Sequence, residues 1–156
     1  MQGVAFSLPY GEHQDVVVGK AGEEIKDFAD LKNQRVGVTR GTISEQVLQK
    51  QKIPDLRLVR LENDSASLAA LATGQVDPIG TADVLAAELI KRCPDQKFQV
   101  KFAFRKGYFG IGLRRGDPDF QRWLNTFVFF NMANGRLSAI SKKWTGVACT
   151  FLPTFR

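Results

Sequence analysis

The chain has 156 residues and a formal net charge of +6, from 22 Lys and Arg against 16 Asp and Glu. This length fits one domain or two very small lobes and excludes a large enzyme, and no apolar run approaches the roughly 20 residues that span a bilayer. The basic charge is compatible with nucleic acid, anionic lipid or an anionic ligand, and it does not choose among them.

Strands and helices alternate along the first two thirds of the chain. Val16–Val18 is an all-apolar run typical of a buried strand, and residues 35–39 predict a second strand. Thr42 and Glu45 have the spacing of a capping box, which predicts a helix to about Lys50. Further strands are predicted at 56–61, 75–80, 97–104 and 108–114, and further helices at 63–72 and 82–92. This order favours an α/β fold with a mainly parallel sheet.

The C-terminal part is predicted to be helical. Asp117 and Pro118 provide an N-cap and a proline at the first helical position, and the helix they open ends near Gly135. Its apolar residues recur at steps of three and four, which predicts a buried or packing stripe: Phe120, Trp123, Leu124, Phe127 and Phe130. A short helix over 137–144 follows, and the tail 151–155 has no periodicity.

Metal and cofactor chemistry has little support in the composition. The chain has a single histidine, His13, and two cysteines, Cys93 and Cys149, which are not spaced like metal ligands. A Ser-His-Asp or Cys-His arrangement would depend on that one histidine. No metal, cofactor or catalytic residue is therefore predicted.

Five short motifs, in order along the chain, resemble one known family. The chain is similar to the polar amino-acid-binding proteins of bacterial ABC importers, which have the type II periplasmic binding fold. The motifs that carry the resemblance are Phe6–Tyr10 (FSLPY), Asp30–Thr42 (with DLK, VGV and RGT), Gly74–Asp77 (GQVD), Phe109–Asp117 (FGIGLRRGD) and Asn134–Gly146 (NG, KWTG).

The resemblance implies how the chain divides. Residues 1–10 are expected to be the first crossing between two lobes, residues 11–103 a complete α/β lobe two, and residues 104–156 the second crossing with the helical C-terminal segment of lobe one. Most of lobe one is expected to lie outside the chain, together with the arginine that clamps the ligand carboxylate in the family.

The function implied is that of a receptor, with no enzymatic activity. Such a protein is exported with a signal peptide, binds a polar amino acid between its lobes in the periplasm, and delivers it to an ABC transporter permease. A periplasmic dehydratase on the same fold is the alternative from the enzyme class, and a nucleic-acid-binding module has no recognised motif here. The incomplete lobe leads us to expect association, plausibly a homodimer formed by segment exchange.

The turn after the second predicted strand is the first candidate ligand site. Gly41 permits close approach of a ligand to the start of a helix, where unpaired N–H groups favour a carboxylate, and Thr42 adds a hydroxyl. Arg40 could add charge toward an anionic side chain, although a solvated surface arginine is the favoured interpretation. From the sequence alone the cap of its helix is the favoured explanation of Thr42, whereas the resemblance favours a ligand role.

The second candidate site follows the strand near residue 80. Many family members have an Asp five residues after the Asp of the GQVD motif, to hold the ligand ammonium, but that position is Ala82 here. The neighbouring Asp83 either takes that role or is only a helix N-terminal acid. Thr81 is a second polar candidate at the same strand end.

The two cysteines raise a separate question. In an oxidising periplasm Cys93 and Cys149 could form a disulfide, or both could remain thiols.

Overall fold

The structure is a computed structural model that describes residues 3–146, 148 and 149. The strands are β1 (Val4–Phe6), β2 (Gly11–Lys20), β3 (Arg35–Thr39), β4 (Arg57–Leu61), β5 (Ile79–Ala82), β6 (Phe98–Phe109) and β7 (Gly112–Arg114). The helices are α1 (Ile43–Lys50), α2 (Asp64–Ala72), α3 (Asp83–Arg92), α4 (Pro118–Ala133) and α5 (Arg136–Thr145).

The chain forms two compact units. The sheet unit is Gln14–Lys106, and the terminal unit combines the chain up to His13 with the chain from Gly107 onward. Strands β2 and β6 each contain residues of both units. The lobe boundaries expected from the resemblance, at residues 10 and 103, stay a prediction.

A mixed five-stranded sheet organises the sheet unit, in the order β4-β3-β5-β2-β6. Strand β3 is parallel to both β4 and β5, whereas β2 is antiparallel to β5. The α/β class is therefore confirmed, but the expectation of a mainly parallel sheet needs correction. Parallel neighbours need a crossover connection such as an α-helix. Strand β2 enters the sheet unit from the terminal unit with no helix before it in the described part of the chain, so no crossover of this kind sets its direction beside β5.

Most predicted elements form close to their predicted positions. Strand β3 and all five helices lie within about one residue of the sequence-based ranges. Three strands differ from their predicted ranges. Strand β2 extends well beyond residues 16–18, and β6 continues to Phe109, so it takes the start of the strand predicted at 108–114. Strand β5 begins at Ile79 and not at Gln75. Before it the chain turns: Gln75 N donates to Ala70 O, and Pro78 has no N–H to give to a ladder.

Two hydrophobic clusters cover the two faces of the sheet. Val16 and Val18 belong to one cluster and Val17 to the other, because successive side chains of a strand point to opposite faces. The first cluster includes Leu71, Ile79, Leu89 and Phe98, and the second includes Leu31, Val36, Val38 and Leu48. This explains the uninterrupted apolar run at residues 16–18 of β2.

The terminal unit contains a two-stranded sheet and two helices. Strand β1 pairs antiparallel with β7, and α4 is followed by α5. Leu124 and Val128 are the buried residues of α4. The other members of the predicted aromatic stripe are exposed, with Trp123 at 60% and Phe130 at 62%. The stripe is thus helical as predicted, but most of it is not core within the described residues.

Two further expectations concern the membrane and the cysteines. Among the helices of the described residues, each is too short or too polar to cross a membrane. Cys93 and Cys149 are free thiols. The predicted tail over 151–155 lies outside the described residues.

Candidate functional site

The polar residues predicted from sequence meet at one edge of the sheet. Because β3 and β5 are parallel, their carboxyl ends reach the same edge, where α/β sheets commonly bind ligands. The turn 40–42 follows β3, and Thr81 is the second-last residue of β5, which ends directly before Asp83 begins α3. We call this edge the polar edge. Both candidate sites predicted from sequence lie there, within the sheet unit.

Burial of polar side chains is concentrated at the polar edge. In the described sheet unit the buried polar and charged side chains are Asp15, Ser44, Glu45, Ser67 and Thr81. Each belongs to a strand or helix that ends or begins at this edge, and Ser67 lies 2.9 Å from Thr39 through their hydroxyl oxygens. Burying polar groups costs free energy unless they are hydrogen-bonded, and Asp15, Ser44 and Glu45 all have hydrogen-bond partners.

The turn before α1 has the geometry predicted for a cap. Gly41 has a φ of +76°, a left-handed conformation that favours glycine. The Thr42 hydroxyl accepts a hydrogen bond from Glu45 N at 3.3 Å and donates one to Thr39 O at 2.7 Å. Thr42 is therefore the N-cap of α1, which was one of its two roles predicted from the sequence. Its role toward a ligand stays a prediction.

Glu45 closes the cap in a modified way. In a standard capping box its carboxylate would accept from the N-cap residue, but here Oε2 accepts from Gly41 N at 2.7 Å. Oε1 accepts from Arg60 Nε at 2.5 Å. The hydrogen bond from Arg60, followed by that from Gly41 N, lowers the pKa of Glu45 below its usual value. The first turn of α1 thus carries a buried, ionised carboxylate.

Arg40 and Thr81 occupy contrasting environments at the polar edge. Arg40 is exposed, and its backbone N–H donates to Leu61 O at 2.8 Å, which continues the β3–β4 ladder. Thr81 is 6% exposed and pairs with Val16 of β2. Thr81 is thus fixed in the sheet, while the Arg40 side chain is in contact with solvent.

Asp83 is held by backbone donors at both carboxylate oxygens. Oδ2 accepts from Gln14 N at 3.0 Å, and Oδ1 accepts from Val84 N at 2.8 Å. The side chain therefore connects the start of α3 to β2. This arrangement is typical of an acid at a helix N-terminus, and whether Asp83 also binds a ligand stays a prediction.

Sequence reasoning missed Asp15 and its partner Arg105 at the polar edge. Asp15, in β2, lies directly opposite Ala82 of β5. Its Oδ2 accepts from Arg105 Nη1 at 2.8 Å, and its Oδ1 accepts from Ser44 Oγ at 3.2 Å. The one available signal was an acid placed immediately before the apolar run at 16–18. Its partners are 29 and 90 positions away along the chain, so spacing could not reveal them.

The family model of bacterial extracellular solute-binding proteins, family 3, matches residues 1–147. The chain belongs to this family. The L-cystine-binding protein TcyJ of Escherichia coli (strain K12) is 31% identical to this family 3 chain over 147 residues. That match covers 93% of the chain and 55% of TcyJ.

Other relatives agree in sequence and in structure. ABC transporter arginine-binding protein 1 of Escherichia coli (strain K12) is 28% identical over 145 residues, covering 90% of the chain and 59% of that protein. The crystal structure of ArtJ from Geobacillus stearothermophilus, an arginine-, lysine-, histidine-binding protein, matches with a TM-score of 0.79 at 26% identity, covering 94% of the chain and 64% of ArtJ.

The fold expected from the resemblance is confirmed, and the family model and the relatives described above are named for the binding of solutes, cystine and arginine. This weighs against the dehydratase alternative. The chain spans a little over half the length of the curated relatives described here.

Proposed function

We propose that this protein is the solute-binding component of an amino-acid ABC transporter. It binds a polar amino acid between two lobes and delivers it to the permease. The names of the relatives support the ligand class, since they bind cystine and arginine. The observation that carries the proposal is the polar edge, where buried polar side chains and a helix N-terminus meet.

The ligand carboxylate would bind at the start of α1. The first N–H groups of a helix have no intrahelical acceptor, and the helix dipole favours an anion there. Gly41 allows the ligand to approach the backbone closely, because nothing lies within 4 Å of the place where a Cβ would stand. Thr42 caps the same helix end, and the exposed Arg40 adds positive charge beside it.

The remaining predicted residues lie beside this helix end. Thr81 offers a hydroxyl near the end of β5, and Asp83, at the first position of α3, supports the site through the hydrogen bond that it accepts from Gln14 N. The chain spans a little over half the length of the curated relatives described above, so we expect it to bind amino acids more weakly than they do. We propose a periplasmic location, with export by a signal peptide of the full-length precursor. Membership of a family of extracellular solute-binding proteins supports this location.

Amide chemical shifts measured by NMR test the proposal on the chain itself. Millimolar affinity corresponds to about −4.1 kcal/mol, so titration of L-arginine, L-glutamine and L-glutamate to about 10 mM detects weak binding. We expect the amides of residues 41–44 to shift with the L-amino acid and to shift less with its D-enantiomer. Equal shifts for both enantiomers, or none at these residues, would contradict the proposed site.

A homodimer formed by segment exchange is part of the proposal for this chain. The support is the aromatic surface of α4, where Trp123 and Phe130 are more than half exposed. Covering such a surface by a second copy removes apolar area from water.

A further inference from the structure

Asp15 is a buried acid at the polar edge that neither the sequence motifs nor the predicted site includes. It is 6% exposed, and Asp15 and Glu45 are the buried acids of the described residues. Glu45 is explained by the cap of α1. Asp15 has no comparable role, because its described hydrogen bonds come from the side chains of Ser44 and Arg105 and not from the backbone N–H groups of a turn or a helix end.

We propose that Asp15 receives the ammonium group of the bound amino acid, and that Arg105 is the positioning residue that orients the Asp15 carboxylate. This inference rests on the proposed function. It assigns the cationic half of the ligand to a strand residue of β2, and it gives Asp83 the separate task of holding β2 beside α3.

The position of Asp15 in the sheet supports the assignment. Asp15 and Ala82 are directly opposite in the antiparallel pair β2–β5, so their Cβ atoms are about 5 Å apart. Ala82 has no polar side chain, and the neighbouring Thr81 is neutral. A carboxylate on the facing strand therefore supplies negative charge at the carboxyl end of β5.

The distance between the two halves of the site is set by Ser44. Ser44 is the second residue of α1, so its backbone N–H belongs to the helix end proposed to bind the ligand carboxylate. Its side-chain Oγ donates to Asp15 Oδ1 at 3.2 Å. One residue thus spans the gap from the anion site to Asp15. An α-amino acid carries its carboxylate and its ammonium on the same carbon, which requires two subsites this close together.

Asp15 retains capacity for a further donor. An ionised carboxylate has about four acceptor sites. Of those on Asp15, the described hydrogen bonds occupy two, one with Ser44 as donor and one with Arg105 as donor. The Arg105 bond, at 2.8 Å, fixes Oδ2, whereas the Ser44 bond to Oδ1 is longer at 3.2 Å. Oδ1 is therefore the oxygen that is available on the side of α1.

Asp83 is a poorer receptor for an ammonium group. Both of its oxygens accept from backbone N–H groups, of Gln14 and Val84. The bond from Gln14 fixes the residue directly before Asp15. Asp83 accordingly helps to position Asp15 without contacting the ligand.

Pairs of ligands that differ by one amino group test the proposal directly. L-Arginine, L-glutamine and L-glutamate are each compared with their desamino counterparts, 5-guanidinovalerate, glutaramate and glutarate. For the wild-type chain we expect the amino compound to bind about tenfold more tightly, since a charge-assisted hydrogen bond is lost in the desamino compound. In Asp15→Asn this ratio is expected to fall to about one, with the desamino affinity little changed.

Asp77→Asn is the matched control. Asp77 also forms an ion pair with an arginine, Arg35, at 2.8 Å, but it precedes β5 and lies at the opposite edge of the sheet. This variant should lower stability and keep the wild-type ratio. A ratio that stays at its wild-type value in Asp15→Asn overturns the assignment.

A measurement on the wild-type chain makes the test independent of how the variants fold. The Asp15 side-chain carboxyl carbon is expected to shift in 13C NMR with the amino acid and not with its desamino counterpart, and the Asp83 carbon to shift with neither. If residues 41–44 respond while Asp15 does not, the proposed function stands and this inference is wrong. If nothing responds, the proposed function itself fails.

Discussion

The Gly41 amide donates a 2.7 Å hydrogen bond to the Glu45 carboxylate, so the N-terminus of α1 already holds an anion from its own first turn. A ligand carboxylate bound at this helix end would lie beside that charge. Arg60, bonded to the other oxygen of Glu45, offsets part of the repulsion. The affinity of this helix end for a ligand carboxylate therefore depends on the helix dipole, on the Glu45 carboxylate and on the Arg60 guanidinium.

Glu45→Gln tests this balance. Glutamine keeps an oxygen that can accept from Gly41 N but removes the negative charge and leaves Arg60 without its carboxylate partner. Both changes make the helix end more positive, so we expect amino-acid affinity to rise by about two- to tenfold, the range that helix-terminus charges typically produce. NMR or calorimetric titration of wild type and variant measures the ratio, and weaker binding by a folded variant would contradict the argument.

Thr42→Ala removes the hydroxyl that caps α1. We expect affinity to fall by about 1 to 3 kcal/mol if that hydroxyl also contacts the ligand, and stability to fall by about 0.5 to 2 kcal/mol through loss of the cap. Thr42→Ser is the control, since serine keeps the hydroxyl. Unchanged calorimetric affinity in a folded Thr42→Ala variant would leave Thr42 with the capping role alone.

Asp83→Asn separates the two possible roles of Asp83. Asparagine keeps one carbonyl oxygen, so one of the backbone donors, Gln14 N or Val84 N, loses its acceptor, at a cost of about 0.5 to 1.5 kcal/mol in stability. We expect ligand affinity to change less than in Asp15→Asn. A loss of about 1.5 to 3 kcal/mol in binding with stability unchanged would instead show that Asp83 holds the ammonium.

Two lowered carboxyl pKa values predict how stability depends on pH. Hydrogen bonds from Arg60 and from Arg35 are the largest causes that lower the pKa of Glu45 and of Asp77, respectively. Such groups stabilise the fold above their unfolded pKa values, about 4.3 for Glu and 3.9 for Asp, and the contribution is lost as pH falls through the folded values.

Urea unfolding between about pH 7 and pH 3 measures this loss. The free energy of unfolding should decline below about pH 4.5, and the decline should be smaller in Glu45→Gln and in Asp77→Asn. Parallel curves for wild type and both variants would show that these two carboxyl groups do not contribute.

Local patterns were enough to predict most elements. The Thr42–Glu45 spacing gave the start of α1, and proline at 118 gave the start of α4, because caps and proline act within one turn. The direction of β2 was beyond such patterns. A buried apolar strand looks the same in either direction, so the antiparallel pairing with β5 was not predictable from residues 16–18.

Only one side of the proposed site was predictable from sequence. Gly41 and Thr42 were singled out because backbone conformation and capping leave a local signature in the sequence. Asp15 was not, because its proposed role follows from register, Asp15 opposite Ala82, and from a partner 90 positions along the chain. Register depends on the whole sheet, and no short motif records it.

Association is the last expected property, and it follows from the surface of α4. Phe120, Trp123 and Phe127 form a continuous stack, with ring centroids 5.9 and 5.6 Å apart, and all three rings are exposed. Exposed apolar patches beyond several hundred Å² are rare on soluble monomers. We expect the chain to form dimers or larger assemblies in light scattering, and Trp123→Gln to weaken them. The control is Arg136→Gln, an exposed residue at the start of α5, which should leave them unchanged. A monodisperse monomer at micromolar concentration would contradict this expectation, and tight amino-acid binding by that monomer would show that the described chain holds the complete site.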